Sequence, residues 1–124
     1  MYTYVFQQSN PEGIDFILRL QHEKKFDYEE YNNICEEAIV YALEQEYKER
    51  KHAFCGSLDI ELLCEFFYSK GFESENRAEL YYDFDSFEYE IEKRIKNPKL
   101  LAWMGRDSFE SDTCPEYFKN EKNN

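Results

Sequence analysis

The sequence predicts an α+β domain that is mainly helical, with four to five helices and a small two-stranded antiparallel sheet. Apolar residues recur at helical spacing through most of the chain, whereas residues 2–7 alternate with the period of two that is typical of a half-buried strand. The composition, 42% hydrophobic and 19% aromatic, excludes a disordered chain. Since a length of 124 residues fits one domain, we assign residues 1–106 to a single compact helical domain and residues 107–124 to a polar, partly ordered C-terminal tail.

The N-terminal segment predicts the first strand and a short helix. Tyr2, Tyr4 and Phe6 fall on one side of the strand. The sequence Asn-Pro-Glu at residues 10–12 then predicts a helix start, because it supplies a cap, a proline for the first turn and a carboxylate at the positive end of the helix dipole. We expect this helix to end near Lys24, where cations favour the opposite end of the dipole.

The longest predicted helix begins at a capping box formed by Asp27 and Glu30 and ends near residue 52. The turn from Ile39 to Leu43 is apolar almost all round, which predicts a position at the centre of the domain. The side that we expect to face the core consists of Tyr28, Tyr31, Cys35, Ala38, Ile39 and Ala42. The opposite side is polar and acidic and consists of Glu29, Asn33, Glu36, Glu37 and Glu44.

The remaining elements are predicted from apolar runs and from the capping and terminating residues that flank them. A third helix, capped by Ser57 and ended by Gly71, is the most apolar segment, and we expect it to be fully buried. Residues 78–84 are the predicted second strand, paired with residues 2–7. A fourth helix starts with Asp85 and Glu88 and directs Phe87, Ile91 and Ile95 inward. After Asn97-Pro98 a short fifth helix, Lys99 to Met104, is ended by Gly105.

The charge of the chain restricts its partners. The formal net charge is −12 at pH 7 and the pI is near 4.6. Like-charge repulsion excludes direct contact with bare nucleic acid or an anionic membrane and favours a basic protein surface. Carboxylates in the first turns of helices and cations in their last turns complement the helix dipole, but the charges of these two groups of residues nearly cancel. The excess carboxylates therefore indicate either a dedicated electrostatic surface or general solubility.

Residues 73–92 form the candidate site, because they hold eight carboxylates against the single cation Arg77, with five aromatic rings between them. Rigid aromatic side chains commonly carry interface energy, and charge sets the association rate. We assign Phe84 and Phe87 to the core and interpret Asp85 and Glu88 as cap residues. The predicted partner-binding residues are Glu73, Glu75, Glu79, Tyr81, Tyr82, Asp83, Tyr89, Glu90 and Glu92, with Glu36, Glu37 and Glu44 of the longest helix.

The sequence contains no catalytic, metal-binding or cofactor motif. Its four cysteines form no Cys-x-x-Cys pair, which favours buried free thiols in a reducing compartment. They are Cys35, Cys55, Cys64 and Cys114. His22 and His52 are isolated, each near a predicted helix C-terminus. We predict a protein that is not an enzyme, holds no metal or cofactor and is cytoplasmic, because neither a leader nor a membrane-spanning run is evident.

The interleaved acidic and aromatic residues 73–92 and the carboxylates of residues 29–44 resemble two classes of small acidic inhibitor. One comprises phage-encoded inhibitors, including anti-CRISPR and DNA-mimic proteins. The other comprises the immunity proteins of nuclease toxins, some of which also place a Tyr-Tyr step, here Tyr81-Tyr82, among acids. The resemblance implies stoichiometric inhibition of a nuclease or CRISPR-type effector through a basic surface that handles nucleic acid.

Two alternatives to an anti-defence inhibitor stay open at this point. One is an immunity protein or antitoxin that neutralises a nuclease toxin. The other is a small enzyme or sponge that removes a nucleotide signal. The dense cationic patch available to such a ligand consists of Lys93, Arg94, Lys96 and Lys99.

Overall fold

An antiparallel sheet and the helices that pack against it make up the described part of the chain. The computed structural model describes residues 1–10, 13–50, 58–74 and 91–104. The strands are β1 (Tyr2–Asn10), β2 (Gly13–His22) and β3 (Glu73–Ser74), in the sheet order β1-β2-β3. The helices are α1 (Tyr28–Arg50), α2 (Ile60–Ser69), α3 (Ile91–Arg94) and α4 (Pro98–Met104). The predicted α+β class with mostly helical content is confirmed for these residues.

The sheet differs from the prediction in its strands. β1 is a strand as predicted, but it pairs with β2, from Tyr2 opposite His22 to Asn10 opposite Gly13. The prediction of a short helix after Asn10 is therefore wrong. β3 adds a third strand by pairing with β2. The predicted strand at residues 78–84 lies outside the described residues.

The sequence of the hairpin contains a turn signal that competes with the helix signal. Asn10, Pro11 and Gly13 are the residue types that type I turns favour at their first, second and fourth positions. Phe16, Leu18 and Leu20 then alternate with a period of two, which suits a strand. Other apolar residues of the segment fit helical spacing as well, and pairing with β1 decides between the two periods.

Tyr4 of β1 lies at the centre of the core and is fully buried. Its ring contacts those of Phe26, Tyr31 and Phe72, with centroid separations of 5.7, 4.7 and 5.7 Å. Its hydroxyl donates to the carbonyl of Lys24 at 2.7 Å and accepts from the backbone N–H of Phe26 at 2.8 Å. One side chain thus joins the sheet, the connection between β2 and α1, helix α1 and the segment that follows α2.

Helix α1 begins as predicted at the capping box. The backbone N–H of Glu30 donates to Asp27 Oδ1 at 2.8 Å, and that of Asp27 donates to Glu30 Oε1 at 3.1 Å. The central turn around Ile39 and Leu43 is buried, which confirms its predicted place. Tyr28, predicted on the core side, is 41% exposed because it lies one turn before Tyr31, where α1 meets the sheet.

The ends of α2 are fixed by its cap residues. Asp59, rather than the predicted Ser57, is the N-cap, and its side chain accepts from the N–H groups of Glu61 and Leu62. Gly71 ends the helix as predicted, with φ of 93°. Its N–H donates to Tyr68 O, and the next N–H, that of Phe72, donates to Phe67 O. These two bonds form a Schellman motif, and the contact between the Phe67 and Phe72 rings completes it.

The expectation that α2 is fully buried is wrong. Leu63 and Phe67 are buried against the core, but Ile60 and Tyr68 are 44% and 48% exposed. The helix is amphipathic, with Leu63 and Phe67 on the side that faces the core.

The last described helices pack against α1, and their apolar residues face inward as predicted. Ile91 of α3 and Ile95 after it are buried. Asn97 caps α4 by accepting from the N–H of Lys99 at 2.9 Å. Trp103 of α4 is half-buried with its ring edge on Tyr47, at a centroid separation of 5.4 Å. Residues 85–90, where we predict the start of the fourth helix, and the predicted tail lie outside the described residues.

Replacing Tyr4 with Phe tests the importance of its hydroxyl. The substitution keeps the ring but leaves the buried N–H of Phe26 and the carbonyl of Lys24 without this partner, so we expect a loss of about 1–3 kcal/mol in the free energy of unfolding. Urea denaturation measures it. Tyr47→Phe is the control, because no described hydrogen bond uses that hydroxyl. Equal stability of the two variants would contradict the prediction.

Candidate functional site

The predicted partner-binding residues are divided between described and undescribed parts of the chain. Those that the structure describes are Glu36, Glu37, Glu44, Glu73 and Glu92. Those outside the described residues are Glu75, Glu79, Tyr81, Tyr82, Asp83, Tyr89 and Glu90. The described residues lie on three elements: Glu36, Glu37 and Glu44 on α1, Glu73 on β3 and Glu92 on α3.

Glu36 does not belong to the exposed side of α1 on which we predicted it. The residue is 5% exposed, and Arg94 Nε donates to its Oε1 at 2.5 Å. Arg94 Nη2 also donates to Asn33 Oδ1. Helix α3 covers this flank of α1, so the carboxylate is used for packing two helices together. Glu92 is half-buried in the first turn of α3.

Glu73 is exposed but lies apart from the α1 carboxylates. It pairs with Gln21 of β2, and its neighbour Ser74 pairs with Leu20, which is buried in the core. Because successive strand residues point to opposite faces, Glu73 points to the face of the sheet away from Leu20. Residues 73 and 37 therefore belong to different surfaces.

A cluster of carboxylates surrounds Tyr41, where α1 meets α2. The Tyr41 hydroxyl donates to Glu65 Oε1 of α2, and the Tyr41 ring contacts Phe66 at a centroid separation of 5.6 Å. Glu37 is exposed and Glu44 half-buried, four residues before and three after Tyr41, so both flank it on the outer side of α1. The hydrogen bond to Glu65 raises the pKa of Tyr41 most, followed by partial desolvation and the charges of Glu65 and Glu49.

The exposed side of α2 combines apolar and acidic residues. Ile60, Cys64 and Tyr68 follow one another at intervals of four, so they form one row along the helix. Glu61 and Glu65, both exposed, form the adjacent row. We call the first row the α2 ridge. We call the carboxylates and the phenol beside it the α1–α2 acidic surface, which consists of Glu37, Tyr41, Glu44, Glu49, Glu61 and Glu65.

The sequence contained a signal for the α2 part of this surface. Glu61, Glu65 and Tyr68 are spaced by four and then three residues, which places them on one side of any helix that spans residues 60–69. We missed it because the abundance of apolar residues in this segment predicted complete burial. The pairing of Tyr41 with Glu65 joins two helices and has no signature in local sequence.

A separate cavity of about 510 Å³ opens between α1 and α3. It is lined by Tyr28, Glu29, Asn32, Asn33, Glu36, Lys93 and Arg94. Asn32 Oδ1 is buried there and accepts no hydrogen bond. The cavity offers an aromatic ring, an unused acceptor and the ammonium of Lys93, but Glu29 and Glu36 oppose an anionic ligand.

His22 has a structural position that differs from the prediction. It ends β2 rather than a helix, and its Nδ1 accepts from the backbone N–H of Lys24 at 2.9 Å. Nε2 therefore carries the proton and donates to the carbonyl of Lys70 at 3.0 Å, next to Gly71. The ring ties the end of β2 to the end of α2. Within the described ranges, Cys35 and Cys64 form no disulfide, and no cluster of three or more potential metal ligands occurs.

Comparisons with known proteins identify no relative of this chain. No family model matches it, and searches of curated proteins and of solved structures found no significant match. Among the helices of the described residues, none has the length and apolar character that crossing a bilayer requires. The geometry of the described residues therefore carries the functional argument.

Removing the carboxylate of Glu36 is expected to destabilise the fold. Glu36→Ala leaves the Arg94 guanidinium, whose side chain is 35% exposed, without its buried partner. We expect a cost of about 1.5–3 kcal/mol, the range for a hydrogen bond to a charged group, because this guanidinium keeps partial access to water. Urea denaturation compares it with Glu37→Ala, an exposed neighbour on the same helix. A Glu37 variant that is destabilised as strongly as the Glu36 variant would contradict this assignment.

The raised pKa of Tyr41 predicts a pH dependence. The hydrogen bond from the phenol to Glu65 stabilises the contact of α1 with α2 below pH ~10, the ordinary tyrosine value, and is lost as pH rises through the higher folded-state pKa. NMR titration of labelled tyrosine should show Tyr41 ionising above that value. Glu65→Gln should return it toward the ordinary range, whereas Glu61→Gln should leave it unchanged. Equal effects of the two variants would show that the Glu65 contact is not the cause.

Proposed function

We propose that this protein is an acidic inhibitor that binds a basic, nucleic-acid-handling surface of a nuclease or defence enzyme. The class that it resembles is the anti-CRISPR and anti-defence inhibitors. The observation that supports the proposal is the α1–α2 acidic surface, where carboxylates from two helices gather around one phenol. It acts by occupying its target, without chemistry of its own.

The fold uses some of its carboxylates for structure. Asp27 and Glu30 close the capping box of α1, and Asp59 caps α2. Glu36 holds Arg94. These groups explain a part of the acidity without any partner.

Other carboxylates have no such structural use. In the described part of the chain, no hydrogen bond or ion pair engages the side chains of Glu37, Glu44 or Glu61. Glu37 and Glu44 lie two turns apart on the same outer side of α1, so both add negative charge to one side of the helix. A cationic partner would neutralise these charges, which favours a binding role over a structural one.

The spacing of the two α2 carboxylates suits a surface that otherwise binds phosphates. Glu61 and Glu65, four residues apart on one helix, stand about 5–6 Å from one another, a separation comparable to that of successive phosphates on a single strand. Lysines and arginines placed for a nucleic-acid backbone can accept such a pair. The net charge of −12 adds long-range attraction, which speeds encounter and weakens as salt rises.

The test is inhibition of nucleic-acid cleavage by the captured target. Tagged protein is incubated with host lysate at 50 and 300 mM NaCl, in a range where phosphate-type contacts weaken steeply. We expect the tagged protein to retain a basic nucleic-acid enzyme at least tenfold better at low salt than at high salt. An equimolar amount of the protein should then block cleavage of labelled DNA or RNA by that enzyme.

Charge reversal identifies the responsible residues. Glu37→Lys, Glu44→Lys and Glu61→Lys together should abolish inhibition, because they invert the charge of the α1–α2 acidic surface on which the proposal rests. Glu12→Lys, Glu23→Lys and Glu121→Lys together are the control, with the same change of net charge at residues outside the predicted partner-binding set and outside the α1–α2 acidic surface. Captured partners that are not basic, or inhibition that both triple variants retain, would contradict the proposed function.

The cavity between α1 and α3 favours a second candidate, the binding of a nucleotide signal. Tyr28 offers a ring for stacking, Asn32 an acceptor for a base N–H, and Lys93 an ammonium for phosphate. Mass spectrometry of the extract from purified protein should then detect a nucleotide, and Asn32→Leu should abolish its retention. Absence of nucleotide from the extract, with no thermal shift on adding nucleotides, would exclude this candidate.

A further inference from the structure

We propose that the α2 ridge is the docking site for a basic amphipathic helix of the target. The proposal rests on the proposed function and adds to it the surface and the structural form of the partner. It is carried by the exposure of Ile60 and Tyr68 next to the exposed carboxylates of Glu61 and Glu65.

The α2 ridge is an apolar row on the outside of the protein. Ile60 is 44% exposed and Tyr68 48% exposed, and Cys64 between them is half-buried. At about 1.5 Å per residue the row extends for about 12 Å along the helix, or two turns. Such exposure of large apolar side chains on one line lowers solubility unless a partner covers it.

The acidic border of the ridge determines the charge of that partner. Glu61 and Glu65 run parallel to the ridge on α2, and the hydrogen bond from Tyr41 to Glu65 connects them to the side of α1 that carries Glu37 and Glu44. The nearest described cation on α2, Lys70, follows its last turn, with its ammonium over the Phe66 ring at 5.4 Å. A partner that covers Ile60 and Tyr68 therefore places its own flank against carboxylates, and that flank has to be cationic.

The shape of the ridge favours a helix as the partner element. Residues spaced by four form the ridges that pack into the grooves of a second helix. Nucleic-acid-binding proteins commonly cluster Lys and Arg along one side of a helix. An amphipathic helix with apolar residues for the ridge and cations beside them satisfies both requirements, in the manner of helix-in-groove recognition.

Neighbouring elements hold the ridge in a fixed position. The Tyr68 hydroxyl lies 2.6 Å from Ser74 Oγ of β3, and Glu65 is held by Tyr41 of α1. The same helix is anchored in the core through Phe67, which lies beneath the exposed row. Docking consequently orders few additional groups, which favours affinity.

The test uses a defined peptide probe. A fluorescein-labelled amphipathic helix of leucine and lysine is titrated with the full chain, and anisotropy gives the Kd. A scrambled peptide of the same composition and an oligolysine of the same charge are run in parallel. We expect the amphipathic peptide to bind at least tenfold more tightly than either control.

Variants then locate the binding surface. Ile60→Ser with Tyr68→Ser, and separately Glu61→Lys, should each weaken binding of the amphipathic peptide at least tenfold. Tyr28→Ser, at an exposed aromatic residue elsewhere, and Glu23→Lys, with the same charge change away from the ridge, should alter it less than threefold. Circular dichroism confirms that each variant keeps its helix content. Amide hydrogen exchange with bound peptide should show protection over residues 60–69.

The outcomes separate the docking site from the proposed function. If the ridge variant binds the amphipathic peptide as tightly as the parent protein does, or if the three peptides bind equally, the proposal of the docking site is wrong, whichever enzyme is the target. If the ridge variant loses peptide binding yet still inhibits the captured enzyme, the ridge is not the inhibitory surface and the proposal is overturned. If both ridge and charge variants behave as expected with the peptide but no nucleic-acid enzyme is inhibited, the docking site stands and the proposed function fails.

Discussion

The burial of Tyr4 is the constraint on which the rest of the structure depends. Its ring packs between Phe26, Tyr31 and Phe72, which come from three different parts of the chain. A buried phenol requires partners for its hydroxyl, and the backbone of Lys24 and Phe26 supplies both. The sheet, the start of α1 and the end of α2 are therefore fixed relative to one another by one side chain.

The orientation of α2 follows from that arrangement. Phe72 reaches the Tyr4 cluster only because the chain turns sharply at Gly71, where the close approach of His22 leaves little room for a side chain. The turn directs Phe67 and Phe72 against each other and inward. With Phe67 buried in the core, Tyr68 points about 100° away from it around the helix and is exposed, and Ile60 is exposed at the first residue of α2.

The sequence predicted those elements whose signals were local and unopposed. Strand β1, the capping box of α1 and the cap of α4 at Asn97 are of this kind. The β2 segment fits both a helix and a strand, and only pairing with β1 resolves it. Glu36 was predicted to be exposed because helical spacing gives its angle around α1 but not which neighbour covers that flank. Arg94, which pairs with it, is far along the chain, and no local pattern connects the two.

The combination of features on α1 and α2 argues against solubility as the whole reason for the acidity. A surface adapted for solubility alone carries charges and few exposed large apolar side chains. Here the carboxylates of Glu61 and Glu65 border Ile60 and Tyr68, whose exposure works against solubility. Exposed apolar residues ringed by charge of one sign are what a specific interface for an oppositely charged partner requires, since apolar contact provides lifetime and charge provides selection. A partner that covers the exposed apolar residues and neutralises the carboxylates beside them would account for both features.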